Sequence, residues 1–261
     1  MGTTNQTRRP GWASDVQVWR ISLRAARPVI ERAWELLDPT ERLRAQAFRG
    51  EHLSRRFILR HAARRTLLAA ELGTAPEALL FGPGPAGKPH VLPAAGKASP
   101  GPGHPIEFND TDSGDEALVA MTCGRRLGID LEERRALDSD LWATRSLFAP
   151  AERAALDALP EARREEAFFA CWTRKEALLK ALGTGLQVAP DVIPVPVGPL
   201  PPTGVSLTAQ PVDPARFTIR DLEVGPGLAA ALALEGESGT VEWREWEWRW
   251  EREAGPSCLP A

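Results

Sequence analysis

The stretch Phe168-Phe169-Ala170-Cys171-Trp172-Thr173-Arg174-Lys175-Glu176-Ala177-Leu178-Leu179-Lys180-Ala181-Leu182-Gly183 sets the frame for the rest of the chain. Leu178, Leu179 and Leu182 form an apolar stripe at helical spacing. Glu176 and Lys180 lie four residues apart and share a face. Gly183 stands where a helix C-cap belongs. The pattern predicts a helix ending at Leu182, with one face for a core and another carrying charge.

Working outward, the same plan appears twice. Leu37-Asp38-Pro39-Thr40-Glu41-Arg42 resembles Phe148-Ala149-Pro150-Ala151-Glu152-Arg153. Each reads as a helix start, with proline early and an acid soon after. A longer amphipathic helix follows in each copy, roughly Glu51 to Leu72 and Glu161 to Leu182, and each ends in Leu-Gly. Val16–Ile21 and Arg126–Leu131 alternate like strands before the two helix pairs, and Ala117–Met121 parallels Leu228–Leu232. The order predicts an α+β fold of two similar halves, 1–124 and 125–261, joined near Gly124. Each half has a long helix packed on a small, mainly antiparallel sheet. Residues 82–105 and 190–204 are rich in Pro and Gly and read as loops. Phe108-Asn109-Asp110-Thr111-Asp112-Ser113-Gly114-Asp115 reads as a polar turn between two strands. Trp243–Trp250 reads as a half-buried strand with Trp246, Trp248 and Trp250 on one face.

The net charge of −3 provides no global basic field, so nucleic acid is not an expected partner. The basic residues Arg49, Arg55, Arg56, Arg60, Arg64 and Arg65 crowd one segment, which suits a small polyanion. Three cysteines without metal spacing fit a reducing cytoplasm, the expected location. The polar N-terminus lacks an apolar signal core, and no apolar run reaches membrane-spanning length.

Asp130 and Glu132 lie two apart on an expected strand. Ile129 and Leu131 would enter the core, leaving both carboxylates on the other face, about 6–7 Å apart. Such a pair can hold one hard cation such as Mg²⁺; the same alternation also describes a solvated strand face. Glu176 and Lys180 read either as a surface helix staple or, with Trp172 and Lys175, as part of a loaded functional face. Arg56, Arg60 and Arg64 share one helical face, either solvated or suited to bidentate phosphate contacts. Lys88 sits between Gly87 and Pro89 on a loop whose backbone can approach a ligand.

Together these segments resemble the 4′-phosphopantetheinyl transferases, in the larger, two-halved type. Gly128-Ile129-Asp130-Leu131-Glu132 is similar to that family's first acidic motif. Trp172-Thr173-Arg174-Lys175-Glu176-Ala177-Leu178-Leu179-Lys180 is similar to its second. Gly87-Lys88-Pro89 and Phe108-Asn109 resemble supporting motifs. The resemblance runs from about Leu37 to Leu186 and implies a pseudodimer that binds coenzyme A between its halves, with Mg²⁺ on the pyrophosphate. It implies Asp130, Glu132 and Glu176 as metal ligands, with Glu176 also the base for a carrier-protein serine. Lys180 would neutralise the pyrophosphate. Lys88, Arg56, Arg64, Thr111 and Lys175 would line the coenzyme A site. The implied partner is an acyl or peptidyl carrier protein. The doubled architecture implies a monomer, because one chain supplies both sides of the cleft.

One position departs from the family. Its members usually carry Ser-His where this chain has Thr111-Asp112. An anion there repels phosphate unless Asp112 turns away and another base compensates; otherwise the nucleotide preference has changed or coenzyme A binding is weak. The rival reading is a degenerate member that binds coenzyme A or a related nucleotide without transfer. A metal-dependent phosphohydrolase is a further rival. It finds no second metal cluster and no His ligand pair among His52, His61, His90 and His104.

Overall fold

A computed structural model of the chain describes residues 12–84, 87–92, 105–209 and 211–248. The first part runs β1 (Val16–Ser22), α1 (Arg27–Glu35), α2 (Pro39–Ala47), α3 (Glu51–Leu72), the short strands β2 (Phe81–Pro83) and β3 (Pro89–Val91), β4 (Ile106–Ser113) and β5 (Glu116–Cys123). The second runs β6 (Leu127–Glu133), α4 (Ser139–Ala143), α5 (Pro150–Asp157), α6 (Glu161–Leu182), β7 (Val205–Thr208), β8 (Arg216–Asp221), β9 (Leu228–Glu235) and β10 (Val241–Trp246). One four-stranded sheet has the order β10-β1-β5-β4, the other β6-β9-β8-β7. All pairings are antiparallel except β1 with β10. The fold is thus α+β with small, mainly antiparallel sheets.

The helix boundaries follow from local chemistry. In α2, Asp38 accepts from the Glu41 amide and Glu41 accepts from the Asp38 amide, a complete capping box. In α5 only half of it forms: Glu152 accepts from the Ala149 amide, and alanine has no side-chain acceptor to return. The two long helices stop at Gly73 and Gly183, whose φ values of 63° and 67° suit a residue without a Cβ.

Three apolar layers hold these elements together. Leu59, Ala62 and Leu68 of α3 pack on Trp19, Ile21 and Met121 of the first sheet. Phe169, Leu178 and Ala181 of α6 pack on Phe217, Ile219 and Ala231 of the second. Between the sheets lie Val16, Val18, Leu118 and Ala120 against Ile129, Leu131, Leu232 and Leu234. Val18 and Ile129 both face this inner layer. The strand match is therefore offset by one residue from Val16–Ile21 over Arg126–Leu131. A one-residue slip exchanges the faces of a strand. Trp19, which faces α3, then corresponds to Asp130, which faces α6.

Three sequence expectations need correction. Residues 108–113 form most of β4, and the turn is confined to Gly114-Asp115. The Pro/Gly-rich stretch contains the β2–β3 hairpin, paired Phe81↔Val91 through Pro83↔Pro89. The C-terminal strand stops at Trp246 because its partner strand β1 runs out at Ser22. Trp246 is buried, and Trp248 packs beside it while donating its indole N–H to Ser22 O. Trp250 lies outside the described residues.

Candidate active site

Gly128 determines how closely β6 and α6 approach. A Cβ on Gly128 would sit 2.9 Å from the Lys180 Cβ, and nearer still to the Ala177 carbonyl oxygen and the Ala181 amide nitrogen. Only glycine lets the strand lie this near the helix backbone. Residues on the same face of the strand then meet α6 in sequence. Asp130 Oδ1 accepts from Lys180 Nζ at 2.6 Å, and Glu132 Oε1 accepts from the Trp172 indole at 3.3 Å. Trp172, Glu176 and Lys180, at four-residue spacing, form the helix side of this contact.

The third wall is β4. It belongs to the other sheet, yet its edge runs beside the edge of β6, and side chains join the two. Asn109 Oδ1 accepts from the Ile129 amide at 2.9 Å. Thr111 Oγ1 donates to Asp130 Oδ1 at 3.2 Å, and Ser113 Oγ lies 3.4 Å from Glu132 Oε2. Lys180 Nζ reaches Ile129 O and Thr111 Oγ1 as well, at 3.2 and 3.3 Å. Lys88 Nζ donates to Leu127 O at 2.8 Å at the far end of the same edge. Asp130, Glu132, Glu176, Lys180, Thr111 and Lys88 thus all lie along this seam, with Lys88 engaged by backbone. Burial lowers the Lys88 pKa from the usual lysine value. Asn109, from the Phe108-Asn109 pair that resembles a supporting motif, and Ser113, to which the sequence assigns no role, belong to the seam too. Their signal was the alternation of two polar sets along 108–113.

The other polar set of β4 faces α3. Asp110 pairs with Arg60 and Arg64, and Asp112 with Arg56 and Arg60, at 2.7–3.3 Å. Arg64 is buried and also pairs with Glu41 at 2.8 Å. Burial works to raise the pKa of Asp110, but Arg64 and Arg60 overcome it and hold the carboxyl well below its ordinary value. Arg56 and Arg64 are therefore matched by the protein's own carboxylates. Asp112, the departure from the family pattern, is neutralised by two guanidinium groups.

Lys175 lies elsewhere. It is 2% exposed and pairs with the equally buried Glu152 at 2.7 Å, while donating to Pro190 O and Ile193 O. Its counterpart in the first half is Arg65, fifteenth in α3 as Lys175 is in α6. Arg65 likewise binds the capping acid Glu41 and the loop carbonyls of Pro76 and Leu79. Both side chains tie the loop after a long helix to the helix before it.

Burial raises the pKa values of Asp130, Glu132 and Glu176, and the Asp130 charge raises the latter two further. Lys180 opposes all three shifts. Among the described residues no group of three or more His, Cys, Asp or Glu side chains is gathered closely enough to hold a metal as it stands. The donor chemistry is nevertheless that of a hard cation: carboxylate oxygens, with Asp130 Oδ2 buried and without a hydrogen bond of ordinary geometry. A cavity of about 340 Å³ opens where the seam ends, lined by Arg20, Arg24, Ser113, Gly114 and Glu133. A second, of about 240 Å³, lies on another flank of α6 beside Arg174 and Asp221 and contains none of the three acids.

Residues 126–234, which carry β6, α6 and β9, match the family model described as the 4′-phosphopantetheinyl transferase superfamily. The protein slr0495 of Synechocystis sp. is 33% identical over 170 residues, 63% of this chain and 66% of that protein, and provisionally bears the same transferase name. HetI of Nostoc sp., named a 4′-phosphopantetheinyl transferase, is 28% identical over 230 residues, 86% of this chain and 89% of HetI. AcpT of Escherichia coli (strain K12), named likewise, is 31% identical over 141 residues, 54% of this chain and 64% of AcpT. The match thus spans just under two thirds of slr0495 and of AcpT.

Proposed function

From the premise that this chain belongs to the 4′-phosphopantetheinyl transferase superfamily, we propose that it moves the 4′-phosphopantetheine arm of coenzyme A to a serine of an acyl or peptidyl carrier protein. The observation that carries this reading is the meeting of Asp130, Glu132, Glu176 and Lys180 at the β6–α6 contact.

The serine hydroxyl attacks the β-phosphorus of coenzyme A. A serine–phosphorus bond forms, the bond to the bridging oxygen breaks, and adenosine 3′,5′-bisphosphate leaves. Glu176 takes the serine proton, directly or through water. Asp130, Glu132 and Glu176 would hold Mg²⁺, which when bound polarises the pyrophosphate and offsets charge on the leaving group. Lys180 adds a second positive charge in a partly buried setting, where it acts more strongly than in water. Orienting two substrates in line supplies much of the remaining acceleration.

The pairing of Asp112 with Arg56 and Arg60 supports transfer over degenerate binding, because that carboxylate does not face the ligand as an unpaired anion. The same proposal covers the division into halves near Gly124, a monomeric state and a cytoplasmic location. Among the described residues no helix is long and apolar enough to cross a membrane. Release of adenosine 3′,5′-bisphosphate is the test. It should require coenzyme A, Mg²⁺ and an apo carrier protein together. Release without any carrier protein would mean a phosphohydrolase instead.

A further inference from the structure

Resting on this metal-site reading, we propose that Lys180 and Thr111 set the metal preference of the site by leaving Asp130 one available oxygen. Asp130 Oδ1 accepts from both Lys180 Nζ, at 2.6 Å, and Thr111 Oγ1, at 3.2 Å. Two donors occupy both lone pairs of that oxygen. The ammonium is saturated in turn: its three acceptors are Asp130 Oδ1, Ile129 O and Thr111 Oγ1. The Thr111 hydroxyl donates to Asp130 and accepts from Lys180, so its proton is assigned as well. Asp130 Oδ2, in a side chain only 6% exposed, accepts no hydrogen bond of ordinary geometry, although the Leu131 amide also acts on this carboxylate.

This asymmetry makes Asp130 a one-oxygen ligand. Calcium gathers six to eight oxygens and commonly takes carboxylates through both. Magnesium and manganese bind octahedrally, with six positions to fill, so a carboxylate that gives one oxygen leaves room for the other ligands and for water. A carboxylate locked at Oδ1 therefore favours the smaller ions. Lys180 does this as a positioning residue, acting on the metal through Asp130.

The test uses Mn²⁺ as a paramagnetic probe, with Ca²⁺ as competitor and neither coenzyme A nor carrier protein present. The quantity read is the ratio of Ca²⁺ to Mn²⁺ affinity. Removing a positive charge tightens both ions, and the ratio cancels that effect. In Lys180→Met the ratio is expected to move toward Ca²⁺ by about tenfold, the lower end of the change that loss of a ligand-orienting residue makes in metal affinity. Thr111→Val, which keeps the lysine, should move it the same way by a smaller step. Thermal melts of both variants establish that they fold, and Thr111→Val carries the test alone if Lys180→Met does not. A ratio unchanged within about twofold in the folded variants, with Mn²⁺ still bound, would overturn the inference and leave the metal site standing. Absence of Mn²⁺ binding by the unaltered protein would overturn the metal-site reading itself.

Discussion

Gly128→Ala is the sharpest test of how the site is built. The added methyl meets the Ala177 carbonyl oxygen, the Ala181 amide nitrogen and the Lys180 Cβ, all inside the 3.0 Å that real Cβ atoms keep. Two of the three are backbone atoms, so no rotamer change relieves the clash. Restoring ordinary contact near 3.5 Å requires β6 and α6 to part by about 1 Å or more. Overpacking a core by one methyl costs about 1–3 kcal/mol where side chains can yield. Here they cannot, so the loss should be about 3 kcal/mol or more, the upper end of that range. For a chain of this size that lowers Tm by roughly 6–12 °C. The same displacement stretches the 2.6 Å Lys180–Asp130 bond beyond hydrogen-bonding range, so transfer should fall further than the fraction unfolded explains. Urea denaturation and initial transfer rates measure the two effects. Gly198→Ala is the control, since nothing lies within 4 Å of the place its Cβ would take. A Gly128→Ala protein within about 0.5 kcal/mol of the parent would refute the close-approach argument, because that is the scatter of neutral surface changes.

Three further outcomes follow from the geometry. Lys175→Met strips Glu152 of its buried partner and should cost about 3–5 kcal/mol, while the KM for coenzyme A of the folded fraction stays unchanged; a raised KM with normal stability would return Lys175 to the ligand site. Asn109→Ala leaves the buried Ile129 amide without an acceptor, at a cost of about 1–3 kcal/mol. Asn109→Asp keeps the acceptor and should be milder by urea titration, and equal losses would remove the seam role of Asn109. Burial, then Arg64 and Arg60, hold the pKa of His61 well below its ordinary value despite Asp110 nearby. The unfolded chain therefore takes a proton near pH 6.5 that the folded chain refuses, so stability falls as pH drops, by up to about 1.4 kcal/mol per unit. A His61→Gln variant should show a flatter slope between pH 7 and 5 in denaturant titrations, and an identical slope would count against this assignment.

The long helices were legible because every local signal agreed: a proline-initiated helix before each, an apolar stripe within, and Leu-Gly at each end. The strand β4 was not, because Asn, Asp, Thr and Ser in sequence favour turns when read locally. Its polar residues instead have partners on both faces. Asn109, Thr111 and Ser113 bond β6, and Asp110 and Asp112 bond the arginines of α3. Those partners lie about twenty residues later and about fifty residues earlier, beyond the reach of any local pattern. Lys175 reads as part of a loaded helix face with Trp172, Glu176 and Lys180, and the resemblance implies a place for it in the coenzyme A site. The repeat already held the opposite answer: Lys175 aligns with Arg65 as Glu152 aligns with Glu41, an internal pair twice over. The three acids were readable as residue types at a spacing. Their convergence depends on Gly128, whose role appears only when α6 is laid against β6.

The most direct measurement is the intact mass of an apo acyl carrier protein after incubation with this protein, coenzyme A and Mg²⁺. The account predicts a gain of one phosphopantetheine group, and loss of that gain with Glu176→Gln. An equal gain with Glu176→Gln would contradict the role given to that carboxylate. No gain on fatty-acid, polyketide or nonribosomal-peptide carriers, with coenzyme A still bound by calorimetry, would contradict transfer itself.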